Sequence, residues 1–282
     1  MSAVDPRYVA ARRVLLDALI ALEPHSEALV IAGAQAVYLH TGDGDLAVAP
    51  FTTDADLVVD PEQLAPDPLI EAAMTAAGFT LALFGGHVEQ GIWTTEVDVA
   101  GEPLLVPVDL IVPEAAATVG GRRGARLGVH GRRAARRATG LEAALVDHSP
   151  HMITALDSAR PAVGPGERRR PRRAAGGQGP QDPRPPRAWP GRSRSGQGPR
   201  RHPAPHADHE PLRRRRDPRR ARRDPMAGPA STAALGCLDA QFGRRGRPGI
   251  ELATRAMRLA IPAARVEAIR TAYTAAMLAA AR

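Results

Sequence analysis

Lysine is absent from this 282-residue chain, cysteine occurs once, at Cys237, and no apolar run reaches the roughly 18 residues that a bilayer-spanning helix needs. The single thiol excludes a disulfide framework and a cysteine-built zinc cluster. With no apolar span and no cleavable leader, the expected setting is the cytoplasm, with no membrane partner. The missing lysine removes the usual triphosphate-binding side chain from consideration. Because every basic residue other than histidine is Arg, it also points to a coding sequence rich in G and C.

Charge is unevenly distributed. Residues 160–224 hold 20 Arg against 6 acidic residues, net +14, and the rest of the chain holds 18 against 24, net −6, so the overall +8 resides in one block. Within that block the large apolar residues are Val163, Trp189 and Leu212, while Pro and Gly are dense. Such a segment cannot bury enough surface to offset the entropy of ordering, and disorder is the expectation for 160–225. A net +14 segment also releases counterions from any phosphate backbone, so non-specific nucleic-acid binding would carry no functional information.

The flanking regions read as ordered. Asp5 to Leu22 predicts a helix with Pro6 in its first turn and an apolar stripe of Val9, Leu15, Leu16, Leu19, Ile20 and Leu22; Pro24 stops it. Ala28 to Ala32 predicts a strand running into Gly33, and Gln35 to His40 a helix, which leaves backbone amides at the turn ready to meet an anion. Thr53 to Val59 predicts a strand ended by Pro61. A helix opened by Asp67-Pro68 and closed at Gly78, then a strand from Phe79 to Phe84, continue the alternation of an α/β layer architecture. Glu96 to Ala100 and Leu104 to Val112 predict a hairpin. Gly140 to Leu156 holds two short apolar runs split by Ser149-Pro150, and Ser231 to Phe242, Gly249 to Leu259 and Pro262 to Ala281 predict three Ala-rich helices. The expected organisation is a mixed-sheet α/β domain over 1–159, the Arg, Pro and Gly segment over 160–225, and a helical tail over 226–282.

The chemistry concentrates in Thr52-Thr53-Asp54-Ala55-Asp56-Leu57 and Val108-Asp109-Leu110. Residues two apart on a strand share a face, so Asp54 and Asp56 aim their oxygens at one point while Ala55, Leu57 and Val59 turn to the core. A hard divalent cation suits that set, because Mg²⁺ takes oxygen ligands from one or two carboxylates together with substrate phosphates. The bland alternative is a strand end with solvated carboxylates. It loses ground because three acidic positions on apolar strands are costly without a shared cation. Asp98 reads as a solvent-facing hairpin residue, His148 and His151 as a surface turn, and Cys237 as a core position in an apolar helix. The Arg122-Arg123, Arg126 and Arg132 to Arg137 cluster is open between a phosphate-binding patch and a solvated helix face.

Ala32-Gly33-Ala34, Asp54-Ala55-Asp56-Leu57 and Val108-Asp109-Leu110 together resemble the signature of the nucleotidyltransferase-fold superfamily related to DNA polymerase β, nearest to its small bacterial AbiEii-type members from toxin and antitoxin systems. The resemblance covers Leu15 to about Leu156 and, more weakly, the tail. It implies that Asp54 and Asp56 hold Mg²⁺ and that Asp109 binds a second metal or activates the attacking hydroxyl. It further implies that Gly33, Ala34 and Thr53 meet a nucleoside triphosphate. The implied reaction moves a nucleoside monophosphate to a hydroxyl of RNA, protein or a small molecule, with an antitoxin as partner. Two departures are visible: Ala34 stands where a second Gly or a Ser is usual, and the Gly42 to Phe51 insert lengthens the interval from Gly33 to Asp54. The insert reads as a tolerated loop, while Ala34 and the missing lysine favour the alternative of a non-catalytic nucleotide- or nucleic-acid-binding or regulatory protein of the same fold.

The Arg-rich block also reads as out of frame. Shifting the codons of Arg172 to Asp182 by one base permits Ala-Ala-Leu-Leu-Val-Ala-Lys-Val-His-Lys-Ile, an apolar helix carrying lysines. A Gln followed by Gly shifts to Lys or Arg whatever the codon choice, and Gln178 and Gln197 are both so placed. In relatives of the superfamily a helix after the sheet supplies a Lys to the nucleotide, so a paired frameshift would account for the missing lysine.

Overall fold

The computed structural model describes residues 4–41, 52–118, 124–157, 218–257 and 261–282. They all belong to one of two units of the chain, the one formed by Met1–Gly166 with Arg216–Arg282. The Gly42 to Phe51 insert, Arg122, Arg123 and most of the Arg-rich block, with its shifted-frame reading, lie outside the described residues.

The first helix, α1 (Pro6–Ala21), starts where Asp5 accepts a 2.8 Å hydrogen bond from the Arg7 amide and Pro6 supplies a φ already suited to a helix. It buries Tyr8, Ala11, Val14, Leu15, Ala18 and Leu22, spaced at three and four residues. Ile20, expected in the stripe, is 58% exposed, since the helical period carries it away from the Leu15 and Ala18 line. After α1 the chain runs on as a short 3₁₀ turn, Glu23–Ala28, with Pro24 in it.

Then follow β1 (Leu29–Ala32), α2 (Gly33–Thr41), β2 (Ala55–Val59), α3 (Ile70–Ala76), β3 (Thr80–Phe84), β4 (His87–Val99), β5 (Glu102–Pro113), β6 (Arg136–Ala138) and α4 (Glu142–Val146). One mixed sheet runs β1-β2-β5-β4-β3, with β6 added to β5. The β2/β5 and β5/β6 pairs are parallel and the others antiparallel, so the fold is α/β with a mixed sheet. Ala55, Leu57 and Val59 from β2 and Val108, Leu110 and Val112 from β5 join Ala11, Val14, Leu15 and Ala18 of α1 in the core. The alternate residues of those strands, Asp56 and Asp109 among them, therefore take the opposite face.

Several expected boundaries move, the strand expected from Thr53 for instance beginning at Ala55. The hairpin arms are longer than the sequence indicates, with Ala100 and Gly101 both at positive φ between Val99 and Glu102, the geometry of a tight two-residue turn. The helix expected from Asp67-Pro68 begins at Ile70. Leu69 caps it with extended backbone, ψ 134°, which leaves Pro68 outside; the Pro68 carbonyl pairs with His25 Nε2 at 2.8 Å, and the Ile70 amide donates to His130 Nδ1 at 3.2 Å.

The C-terminal part forms α5 (Pro218–Arg223), α6 (Gly228–Phe242), α7 (Pro248–Met257) and α8 (Ala263–Ala280), with α5 and α6 packed on α4. Helix α5 falls inside the stretch read as disordered. Its arginines have work there: Arg219 Nε and Arg222 Nη1 donate to the Ala280 and Ala281 carbonyls at the end of α8, satisfying orphan acceptors with positive charge. Cys237 is exposed rather than in the core, because α6 turns Ser231, Leu235, Leu238 and Phe242 inward and Cys237 lies off that line. No helix among the described residues is long and apolar enough to cross a membrane.

Candidate active site

The parallel register of β2 and β5 pairs Asp56 with Asp109, on strands about 4.8 Å apart. Asp54 precedes β2 by one residue and is exposed, whereas Asp56 is half-buried. Asp56 and Asp109 therefore share one face of two neighbouring strands, and Asp54 stands just before β2, near enough for its charge to act on Asp56. Burial is the main cause that pushes the Asp56 carboxyl above the usual carboxylate range; the negative charges of Asp54 and Asp109 add to it, and Arg136 partly offsets it.

Gly33 lies against the Asp56 carboxylate. It opens α2 at a φ of +64°, and a Cβ built there would come within 1.9 Å of Asp56 Oδ2. Glycine is needed for both reasons: L side chains rarely adopt that backbone, and the Asp56 carboxylate fills the space a side chain would take. Ala34, next to Gly33, and Thr53, next to Asp54, the other positions expected to meet nucleotide, are part-buried.

Four side chains support the carboxylates in ways the sequence did not indicate: Gln35 and Arg12 were not singled out, and Thr52 and Arg136 were named without these partners. Thr52, buried, donates its hydroxyl to Asp54 Oδ1. Gln35, also buried, donates to the Asp54 carbonyl at 3.4 Å and accepts from Arg12 Nε at 2.8 Å. Arg12 in turn donates to the Tyr8 hydroxyl at 3.1 Å and to the Thr154 carbonyl at 3.0 Å. The fourth is Arg136 on β6, whose Nε and Nη2 reach Asp109 Oδ2 at 3.0 and 2.5 Å. A glutamine two residues after the glycine turn, inside an apolar run, was a usable signal for the first network. Nothing in the spacing of Arg136 pointed to Asp109.

The Arg132 to Arg137 cluster is accordingly not a helix face. Arg136 and Arg137 lie on a strand, Arg137 pairs with Glu114, and Arg133 pairs with Glu71. His148 and His151 are exposed and share no metal geometry; His148 meets the Ala144 carbonyl and His151 meets the edge of His40. Asp98 is exposed and accepts from the Gly101 amide in the hairpin turn.

Among the described residues no three His, Cys, Asp or Glu side chains are grouped to hold a metal ion. Asp54 and Asp56 nonetheless fit the needs of Mg²⁺, which takes one or two carboxylates and completes its octahedron with water and phosphate oxygens. The donors are all oxygen, and the glycine at 33 leaves the Asp56 carboxylate room. A cleft of about 660 Å³ lined by Leu69, Glu71, Thr75, Val129 and His130, among others, shares no residue with these carboxylates and does not belong to the site. Comparison with protein-family models, with curated proteins and with solved structures gives no match.

Proposed function

We propose that the chain is a nucleotidyltransferase-like protein acting on a nucleoside triphosphate, with transfer of the nucleoside monophosphate to a hydroxyl acceptor on RNA or protein. The observation that carries the reading is the β2/β5 register, which sets Asp56 beside Asp109, with Asp54 two residues ahead of Asp56 and Gly33 against its carboxylate. In the reaction the acceptor oxygen bonds to the α-phosphorus, the bond to the pyrophosphate oxygen breaks, and the hydroxyl proton is lost. Asp54 and Asp56 would hold Mg²⁺, which when bound neutralises phosphate charge. Thr52 and Gln35 keep Asp54 in place, and the amides at the start of α2 receive phosphate oxygens past Gly33. Asp109 orients the acceptor hydroxyl and takes its proton. An antitoxin-like protein partner belongs to the same reading.

The test is transfer of label from α-³²P nucleoside triphosphates to bulk RNA and protein. Asp54→Ala is expected to lower it by at least about a hundredfold, and unchanged turnover in that variant refutes the assignment. A second reading, a non-catalytic nucleotide-binding protein of the same fold, is favoured by Ala34 and by the absence of lysine. Nucleotide binding indifferent to Mg²⁺ would select it.

A further inference from the structure

Among the described residues Arg136 is the one guanidinium shown paired with Asp54, Asp56 or Asp109, and the fold goes to some length to bring it there. Strand β4 leaves β5 after the Ile92/Asp109 pair, and β6 pairs with β5 from Ile111 onward, with Arg136 opposite Ile111. The changeover depends on Gly91, whose amide donates to the Arg133 carbonyl at 2.9 Å. A Cβ at Gly91 would come within 2.2 Å of the Arg136 backbone nitrogen, and its φ is +74°. Gly124 repeats the device on the other side of β6, where a Cβ would lie 2.3 Å from the Arg132 carbonyl oxygen. Both Arg136 bonds fall on Asp109 Oδ2, with the side chains 32% and 18% exposed, so solvent only partly screens the pair.

A carboxylate engaged by a guanidinium is a poor ligand for a second divalent cation, because the cation would face a fixed positive charge a few ångströms away. We propose that this site takes a single divalent cation, on Asp54 and Asp56, and that Arg136 stands as the built-in positive charge at Asp109 where a second cation would otherwise bind. The inference rests on the reading of Asp54 and Asp56 as metal ligands. It makes Arg136 a specificity-determining residue: it sets how many cations the site admits.

The experiment is a titration of the full chain with Mn²⁺ alone, free ion being followed by electron paramagnetic resonance. Wild type is expected to bind one Mn²⁺ that Asp54→Asn abolishes. Arg136→Met is expected to bind two, and Asp109→Asn added to it returns the count to one. Arg136→Lys, which keeps the charge, is expected to stay at one and guards against an effect of misfolding. Two Mn²⁺ in wild type, or one in Arg136→Met at unchanged affinity, overturns the role of Arg136 while leaving the metal site standing. Mn²⁺ binding that ignores Asp54→Asn, or none at all, removes the metal-site reading and this inference with it.

Discussion

At the scale of single residues, Gly33 and Asp56 form a contact that neither can leave. The Gly33 backbone is left-handed and the Asp56 carboxylate occupies the volume of a would-be Cβ. Gly33→Ala is therefore expected to destabilise the protein by about 1–3 kcal/mol, measured by urea unfolding, and a variant as stable as wild type would show that the contact relaxes freely. Asp56 itself is held against its own preference. Its folded-state carboxyl is raised, so the native protein is penalised above that raised value and relieved as pH falls through it. Asp56→Asn is expected to unfold at a higher temperature than wild type at pH 7, with the difference closing toward acid. A lower midpoint at pH 7 would mean that the carboxylate is stabilising as it stands. Stability given up at a charged site is a common consequence of assembling carboxylates for chemistry.

At the scale of elements, the turn between α1 and β1 is fastened to the start of α3 by two buried imidazoles. His25 and His130 meet edge to face at 5.2 Å, His25 Nε2 pairs with the Pro68 carbonyl, and His130 bridges the Ile70 amide and the Ala65 carbonyl. His25 Nδ1 is buried without a partner, and burial is the main cause that lowers its pKa, with His130 adding to it against the Pro68 bond. A histidine whose folded pKa is depressed contributes fully above its unfolded value near 6.5, and that contribution is lost as pH falls from there through the folded value. Denaturant unfolding below pH 6.5 is expected to show a decline, as pH falls, of up to about 1.4 kcal/mol per pH unit from this one group. The decline should be absent in His25→Gln, which keeps a donor for Pro68. Parallel profiles for the two proteins would assign the acid sensitivity elsewhere.

At the scale of the whole molecule, the positive charge and the carboxylate site are separate in sequence. Residues 160–217 carry 16 Arg against 5 acidic residues, net +11, while Asp54, Asp56 and Asp109 lie in the acidic remainder. Replacing 160–217 by a Gly/Ser linker of equal length is expected to abolish binding to random duplex DNA, which in wild type should fall steeply with added salt. Divalent-cation binding at Asp54 and Asp56 is expected to survive the replacement. DNA binding retained by the linker protein would move the nucleic-acid surface to the Arg126 to Arg137 region. The C-terminal helices are continuous with the first domain in one unit, and α5, α6 and α4 meet directly.

Local patterning sufficed for much of this. Alternation around Asp54 and Asp56 specified a strand, though it begins at Ala55 and carries Asp56 while Asp54 stands just before it; Asp5-Pro6 specified the start of α1, and the Gly33 turn specified a strand followed by a helix, because each depends on residues within one or two turns of the chain. Long-range proximity is a different matter. The Asp56 and Asp109 register, the 23-residue reach from Arg12 to Gln35 and the approach of Arg136 to Asp109 depend on strand order. No period in the sequence encodes that order, and even Gly91 reads as an ordinary glycine until β6 lies against it. The sequence by itself determined which residue types could make a cation site; the tertiary structure decided that one of its three carboxylates already has an arginine for a partner.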